Sequence, residues 1–559
     1  MNEPRAAVSL LSAALLVIAA GGGLTSCGGG PASSSSGQTS SQSSSSTQSS
    51  SGTQPTARTD VVTYKDDVQR TGENLTESVL TPSNVTSATF GLLHNLMVDA
   101  KVDAEPLYLS QLSIAGTAHD TVFVATENDS VYAFDADTGA TLWHVSLTAS
   151  GETASDDHSC SQISPAIGVT STPVIDRSAG PNGTIFVVSM TKDASANYHQ
   201  RLHALDVTTG VEISGSPVEI AATYGLTTFA PGQYAERAAL LLEIGTIYTA
   251  WTSHCDDGPY GGWIIAYSES TLAQTGVLNV APGASGSGYA SQGPAIWMSG
   301  GGPAADASGN VYVLTGNGRF ETTLNANGFP SGGDYGNSFV KIAPSGGTLT
   351  VADYFTMFNE VTESGNDTDL GSGGVMLLPD LTDANGTVRQ LAIGAGKDGN
   401  LYVVDRSSMG EFNASSNDIW QELDGVLGGG VWSTPAYFNG TVYYGPQGGA
   451  LVAFSVTSAR LSSSPTSMTS TQFEYPGTFP VVSANGTSSA IVWAYENAST
   501  AVLHAYDATN LATELYNSTQ AASGRDQFGA GNKFIAPTVA DGKVFVASAG
   551  SVAVFGLLP

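Results

Sequence analysis

The residues able to do chemistry are few. Only 18 of the 559 residues are Lys or Arg, so each base beside an aromatic or an acid stands out. Arg237 and Lys533 can face carboxylates, one through a guanidinium fork and the other through an ammonium. Trp432 offers a flat face to a ring or a sugar. With Asp103, Glu105, Ser171, Ser299 and Asp369, they stand at or just before short apolar segments. Asn317, Arg319, Lys397 and Asp398 stand in turns further along such segments. Brought to one place, the set suits a small acidic or polar ligand. Plainer readings stand beside this one. Asp369 and Asn317 are common turn residues. Arg237 and Lys533 can pair with Asp103 and Glu105 in an ion-pair collar that holds no ligand.

The three cysteines are Cys27, Cys160 in DDHSCSQ and Cys255 in SHCDDG. With Cys27 set aside, the other two are expected to pair in an oxidising compartment. Free thiols are the alternative. A metal pair with His158 and His254 lacks the spacing of known ligand motifs. Both histidines otherwise read as surface loop residues.

Leu10–Ala20 is an apolar run of signal-peptide length, too short to span a bilayer stably. Leu24-Thr25-Ser26-Cys27 resembles a bacterial lipobox, in which the Cys thiol takes the lipid. An ordinary signal peptide is the alternative. Residues 1–27 are therefore expected to be a lipoprotein signal peptide. Residues 28–58, rich in Ser, Gly, Gln and Thr, are expected to form a disordered tether. Residues 59–559 are the folded part. The expected location is exported and membrane-anchored through the N-terminal lipid: outer membrane, periplasmic or cell surface. The formal net charge of −31 excludes nucleic acid as a partner, because a phosphate backbone needs a basic surface.

The elements that must position these residues are strands. From about Ala104 one pattern recurs: a short apolar strand, a second strand like GxVYV, a third ending in a D-x-x-T-G turn, and a fourth. Thr121–Leu147 is the clearest copy. Alternating apolar residues mark half-buried strands, and Asp/Asn/Gly clusters mark hairpins. Second strands start near Val122, Ile185, Ile247, Val311, Leu391, Val442, Ile491 and Val544. Repeats of this period predict an all-β fold, an eight-bladed β-propeller of four-stranded antiparallel blades. The last repeat ends after its third strand. Ala88–Asp99 can supply the fourth and close the ring from both termini. Seven blades is the alternative if one weak repeat is misread. Residues ahead of the first strands then converge on the axis at one face.

Asp135–Trp143 carries D-x-x-T-G-x-x-L-W and resembles the PQQ (pyrroloquinoline quinone) repeat. Stretches such as SHCDDGPYGGWIIAY at Ser253 and DLGSGG at Asp369 are similar to a group of bacterial PQQ-repeat propeller lipoproteins. That group lies within the quinoprotein alcohol dehydrogenase-like superfamily, and the likeness implies a fold rather than an activity. The fourth and fifth blades also resemble the quinoprotein alcohol dehydrogenases. Trp297 opens W-x-x-G-G-G, YVLTGNGRF follows at Tyr312, then Gly333-Asp334-Tyr335, Asp367–Gly371 and GKDGNLYVVDR at Gly396. By position, the resemblance implies Asn317 and Asp369 beside Ca²⁺, with Asp369 as general base; Trp297, Arg237, Trp432 and Lys533 are the candidate cofactor contacts, with blade packing the alternative for Trp297. The sequence departs from the pattern too. It has no adjacent cysteines, Pro303-Ala304-Ala305 follows the triple glycine in place of the stacking Trp, and Thr368-Asp369 stands where that family has Trp-Asp.

Two functions follow. One is a binding or assembly platform at the cell envelope for a protein, glycan or small ligand, as in propeller lipoproteins that assist outer-membrane protein assembly. The other is a PQQ- and Ca²⁺-dependent dehydrogenase acting on an alcohol or sugar.

Overall fold

The computed structural model describes residues 59–285 and 293–559. The expected signal peptide (residues 1–27, with Cys27) and the expected tether (residues 28–58) lie outside the described residues. The described residues fall in one compact unit.

The described residues form eight small antiparallel sheets, one per expected repeat, set around a common axis as a propeller. Blade 1 comprises Leu107–Ile114, Thr117–Ala125, Ser130–Asp135 and Thr141–Ser146. Blade 8 takes Thr538–Ala540, Lys543–Ala547 and Ser551–Leu557 from the C-terminal end. Its outer strand is Phe90–Met97, antiparallel to Ser551–Leu557. Termini therefore close the ring as the truncated last repeat requires, and the count is eight.

The strands are apolar in long runs because each blade is buried on both faces. Along Thr117–Ala125 the alternation splits the core. Val122 and Val124 pack with Val544 and Phe545 of blade 8. Phe123 and Ala125 pack with Ile185 and Val187 of blade 2. The D-x-x-T-G signature is turn chemistry. Asp135 Oδ1 accepts the Thr138 N–H and hydroxyl, each at 2.8 Å, and Gly139 adopts φ 72°. In the next copy Asp206 Oδ1 accepts from Thr208, one residue before the signature Thr, and Gly210 at φ 69° leaves room for Trp143. The Trp143 indole donates to Val207 O at 2.9 Å, which locks blade 1 against blade 2.

Not every blade is a plain four-stranded sheet. Glu152–Asp156 and Ala166–Ile167 extend blade 2, and Tyr234–Ala235 extends blade 3. Between the two added strands of blade 2 runs an excursion carrying Cys160. Cys160 and Cys255 form a disulfide bond, with sulfurs 1.95 Å apart. It ties this excursion to the turn after Thr246–Ser253 of blade 3.

A segment without a role in the repeat pattern runs past the inner strands of all eight blades. Residues 61–74 run around the inner strands and meet the blades in turn. Val61 exchanges backbone hydrogen bonds with Tyr108 of blade 1, and Val62 O accepts from Ile175 of blade 2. Val68, Gln69, Thr71 and Gly72 carbonyls accept from Ala305, Leu377, Tyr437 and Val482 of blades 4 to 7. The Arg70 guanidinium reaches Leu240 O of blade 3, and the Asn74 amide reaches Val539 O of blade 8. This girdle satisfies the free edges of the inner strands, which would otherwise be unpaired and buried. Positive φ at Lys65, Asp66, Arg70 and Gly72 curls the chain tightly enough to do so.

Candidate functional site

On the axis lies a cavity of about 390 Å³, in the usual range for small-ligand sites. The loops leading into and out of the inner strands line it. Asp103, Arg237, Trp297, Asn317, Asp369, Lys397, Trp432 and Lys533 all contribute. Five other residues of the expected set are engaged elsewhere. Glu105 accepts the Lys65 N–H at 3.1 Å, and Ser171 donates to Glu236 at 3.2 Å. Ser299 donates to Ser372 O at 2.7 Å. Arg319 pairs with Asp334 at 2.6 Å, and Asp398 accepts from the Tyr402 hydroxyl at 2.6 Å.

An ion-pair collar does not form. Asp103 accepts from the Asn532 amide at 2.8 Å, and Glu105 belongs to the girdle. Arg237 is only 5% exposed, and its Nη1 donates to Thr170 O at 2.8 Å. Its Nη2 is buried with no hydrogen-bond partner among the described residues. The guanidinium sits over the Phe534 ring, 5.5 Å from the centroid, and Lys533 Nζ lies at the same distance from that ring. Burial and then the neighbouring Arg237 hold the Lys533 ammonium below its usual pKa. Two neighbouring cations, one with an unpartnered Nη2, make a corner that can take an anion.

Opposite them, Asp369 is buried and committed. Its Oδ1 accepts the Asn317 N–H at 2.6 Å, and its Oδ2 pairs with Lys397 Nζ at 2.6 Å. Lys397 also reaches Asp367 at 3.0 Å, and the Asn317 amide donates to Asp367 at 3.2 Å. Burial raises the Asp369 pKa, and Lys397 opposes that rise. This donor set does not fit Ca²⁺. An ammonium occupies the carboxylate face a divalent ion would need, and the Asn317 amide points its N–H₂ at Asp367. No group of three or more His, Cys, Asp or Glu suited to a metal occurs among the described residues. Where the resemblance implied Ca²⁺ between Asn317 and Asp369, the structure pairs Asp369 with Lys397.

Aromatic rings form one wall. Trp297 meets Phe534 edge to face at 6.3 Å, Tyr475 meets Phe534 at 6.2 Å, and Trp432 meets Tyr475 at 5.5 Å. Tyr475, Phe534, Glu127 and His254 also line the cavity and carry no signal in the repeat pattern. His254 is not a surface residue. It stacks on His158 at 4.2 Å, is 5% exposed, and burial followed by His158 pushes its pKa down to about 3. Burial and the adjacent Asp103 push the Glu127 carboxyl up to about 9.

A family model described as outer membrane protein assembly factor BamB matches residues 68–213. No curated protein matches the chain. Among solved structures, the quinohemoprotein alcohol dehydrogenase from Comamonas testosteroni is similar at TM-score 0.57 and 17% identity, over 90% of this chain and 81% of that one. The quinohemoprotein alcohol dehydrogenase ADHIIG from Pseudomonas putida HK5 is similar at TM-score 0.56 and 14% identity, over 89% and 80%. A europium-containing methanol dehydrogenase is similar at TM-score 0.55 and 15% identity, over 89% and 98%. At such identities the likeness concerns the fold. The chain is an eight-bladed β-propeller whose residues 68–213 match a PQQ-repeat family model.

Proposed function

We propose that this protein is a binding propeller of the cell envelope, anchored by a lipid on Cys27, which holds a compact anionic organic ligand in its axial cavity. One observation carries the reading: Arg237, 95% buried, keeps an unpartnered Nη2 beside Lys533 in a cavity walled by aromatic rings. Buried donors of this kind are rarely left orphaned, and an acid completes the fork. The girdle gives the inner strands a fixed frame, so the site is preorganised for binding. Anchoring rests on the lipobox sequence, and Cys27→Ser should move the protein from the membrane fraction to the soluble one.

Thermal shift and tryptophan fluorescence with small organic acids and their neutral amides test the binding reading. Acids should stabilise the protein and change its fluorescence, while the amides should not. Arg237→Gln should abolish the difference. Equal responses to acids and amides would overturn it.

A second reading, oxidation of an alcohol or sugar with Asp369 as base, draws on the place of Asp369 in the same cavity. The Lys397 pair and the lack of a fitting metal-ligand set weigh against it. Full-length protein mixed with PQQ and Ca²⁺ should reduce no dye in the presence of alcohols. Reduction lost in Asp369→Asn would favour this second reading.

A further inference from the structure

Residues that line the cavity carry buried, unpartnered atoms of more than one kind. Arg237 Nη2 is a donor. His254 Nε2 and Glu127 Oε2 are also buried without a partner, on residues 5% and 2% exposed. His254 hydrogen-bonds the Tyr234 backbone, which assigns its proton to Nδ1 and leaves Nε2 a bare acceptor. An imidazole held neutral keeps that acceptor across the physiological range. Burial and Asp103 raise the Glu127 pKa, and its Oε2 stands as a further unpartnered oxygen. A simple aromatic acid answers Arg237 and the ring wall but offers His254 no hydrogen. A neutral sugar answers His254 but leaves Arg237 and Lys533 unmatched. A ring that carries both an acid and hydroxyls answers all of them, with its C–H face on Trp297 or Trp432.

We infer that the ligand of the axial cavity is a hydroxylated ring acid of the uronic acid class, with its carboxylate on Arg237 and a hydroxyl donating to His254 Nε2. The inference rests on the anion-binding reading above. The same chemistry is offered by a free uronic acid and by the terminal residue of an acidic glycan, and the experiment separates these sources.

The test is isothermal titration calorimetry on the full-length protein in detergent, with glucuronate, a glucuronate-terminated oligosaccharide, glucose and benzoate. Glucuronate or the oligosaccharide should bind at least about 10-fold more tightly than glucose or benzoate, as the loss of a charge-assisted or buried hydrogen bond implies. Tighter binding of the oligosaccharide assigns the site to a glycan end, and tighter binding of glucuronate assigns it to the free acid. His254→Phe should weaken the uronate by about 10-fold and leave benzoate unchanged. Lys533→Met, on a partly exposed side chain, serves as a second variant and should weaken both acids, with an unchanged melting temperature as the folding control. If benzoate binds as tightly as the uronates and His254→Phe does not discriminate, the uronate inference fails and the anion reading survives. If glucose binds as tightly as the acids, or no acid binds, both fail.

Discussion

Replacing Arg70 with methionine removes one guanidinium from the girdle while keeping most of its volume. Arg70 is fully buried. It donates to Thr63 Oγ1 at 2.7 Å, Tyr64 O at 2.9 Å, Pro303 O at 2.9 Å and Leu240 O at 3.1 Å. Each bond from a charged donor contributes about 1.5–3 kcal/mol in mutational series. Burial also strains the cation, lowering its pKa to about 10, and that cost is recovered when the charge goes. The net loss is therefore smaller than the sum, at about 3–5 kcal/mol, comparable to breaking a buried charged contact. With an unfolding entropy of about 2 cal/mol/K per residue over about 500 residues, this corresponds to a melting temperature about 3–5 °C lower if the propeller unfolds as one unit. Scanning calorimetry of the wild type and Arg70→Met measures it. A change below about 1 °C would refute the claim that residues 61–74 hold the inner strands in place.

Other perturbations probe other parts. Cys255→Ala opens a link between residues 95 apart in sequence, and the cost should be about 2–5 kcal/mol by denaturant titration. The joined segments line the cavity, so ligand affinity should fall too; an unchanged midpoint and affinity would contradict this. His504 lies between Glu514 at 2.8 Å and Glu496 at 3.2 Å. Burial alone would lower its pKa, but the two carboxylates outweigh burial and raise it. Its stabilisation is complete below the unfolded value of about 6.5 and is lost as pH rises through the folded value. The stability advantage of the wild type over His504→Gln should shrink from pH 6 to pH 9, and a constant difference would show that the pair does not titrate as described. Truncation after Gly550 deletes Ser551–Leu557, which pairs with both Phe90–Met97 and Lys543–Ala547. The product should lack the cooperative melt of the full chain, and a native-like melt would mean that closure by the termini is dispensable.

The blades were legible because their determinants are local. A D-x-x-T-G turn is fixed by Asp135 and Gly139 within five residues, and the alternation of Val122 to Ala125 reports burial on both faces of one strand. Ring closure was legible for a related reason: a repeat missing its last strand must find one. The girdle was not legible. Its hydrogen bonds run from residues 61–74 to partners as far away as Val539, and its only local mark is a run of charges in TYKDDVQRTGEN. The site was legible in part. Positions ahead of the inner strands brought Arg237, Trp432 and Lys533 to the cavity, because propeller geometry sends such loops to the axis. The same rule placed Glu105 and Ser299 there, yet their side chains turn to the girdle and to Ser372. His254 was read as a loop residue because stacking on His158 and the Cys160–Cys255 bond act across blades. Asn317 and Asp369 both reach the cavity, where the Lys397 ammonium pairs with the Asp369 carboxylate, a pairing that carries no signal in the turn pattern.

The claim at the centre of this account is that an acid partners the unpaired Nη2 of Arg237. A crystal structure of the protein grown with the tightest-binding acid tests it most directly. The account predicts one molecule per chain inside the axial cavity, with its acidic oxygens in hydrogen-bond reach of Arg237 Nη2 and its ring against the Trp297–Phe534 wall. Acid bound only outside the cavity, with Arg237 Nη2 still lacking a partner, would contradict it.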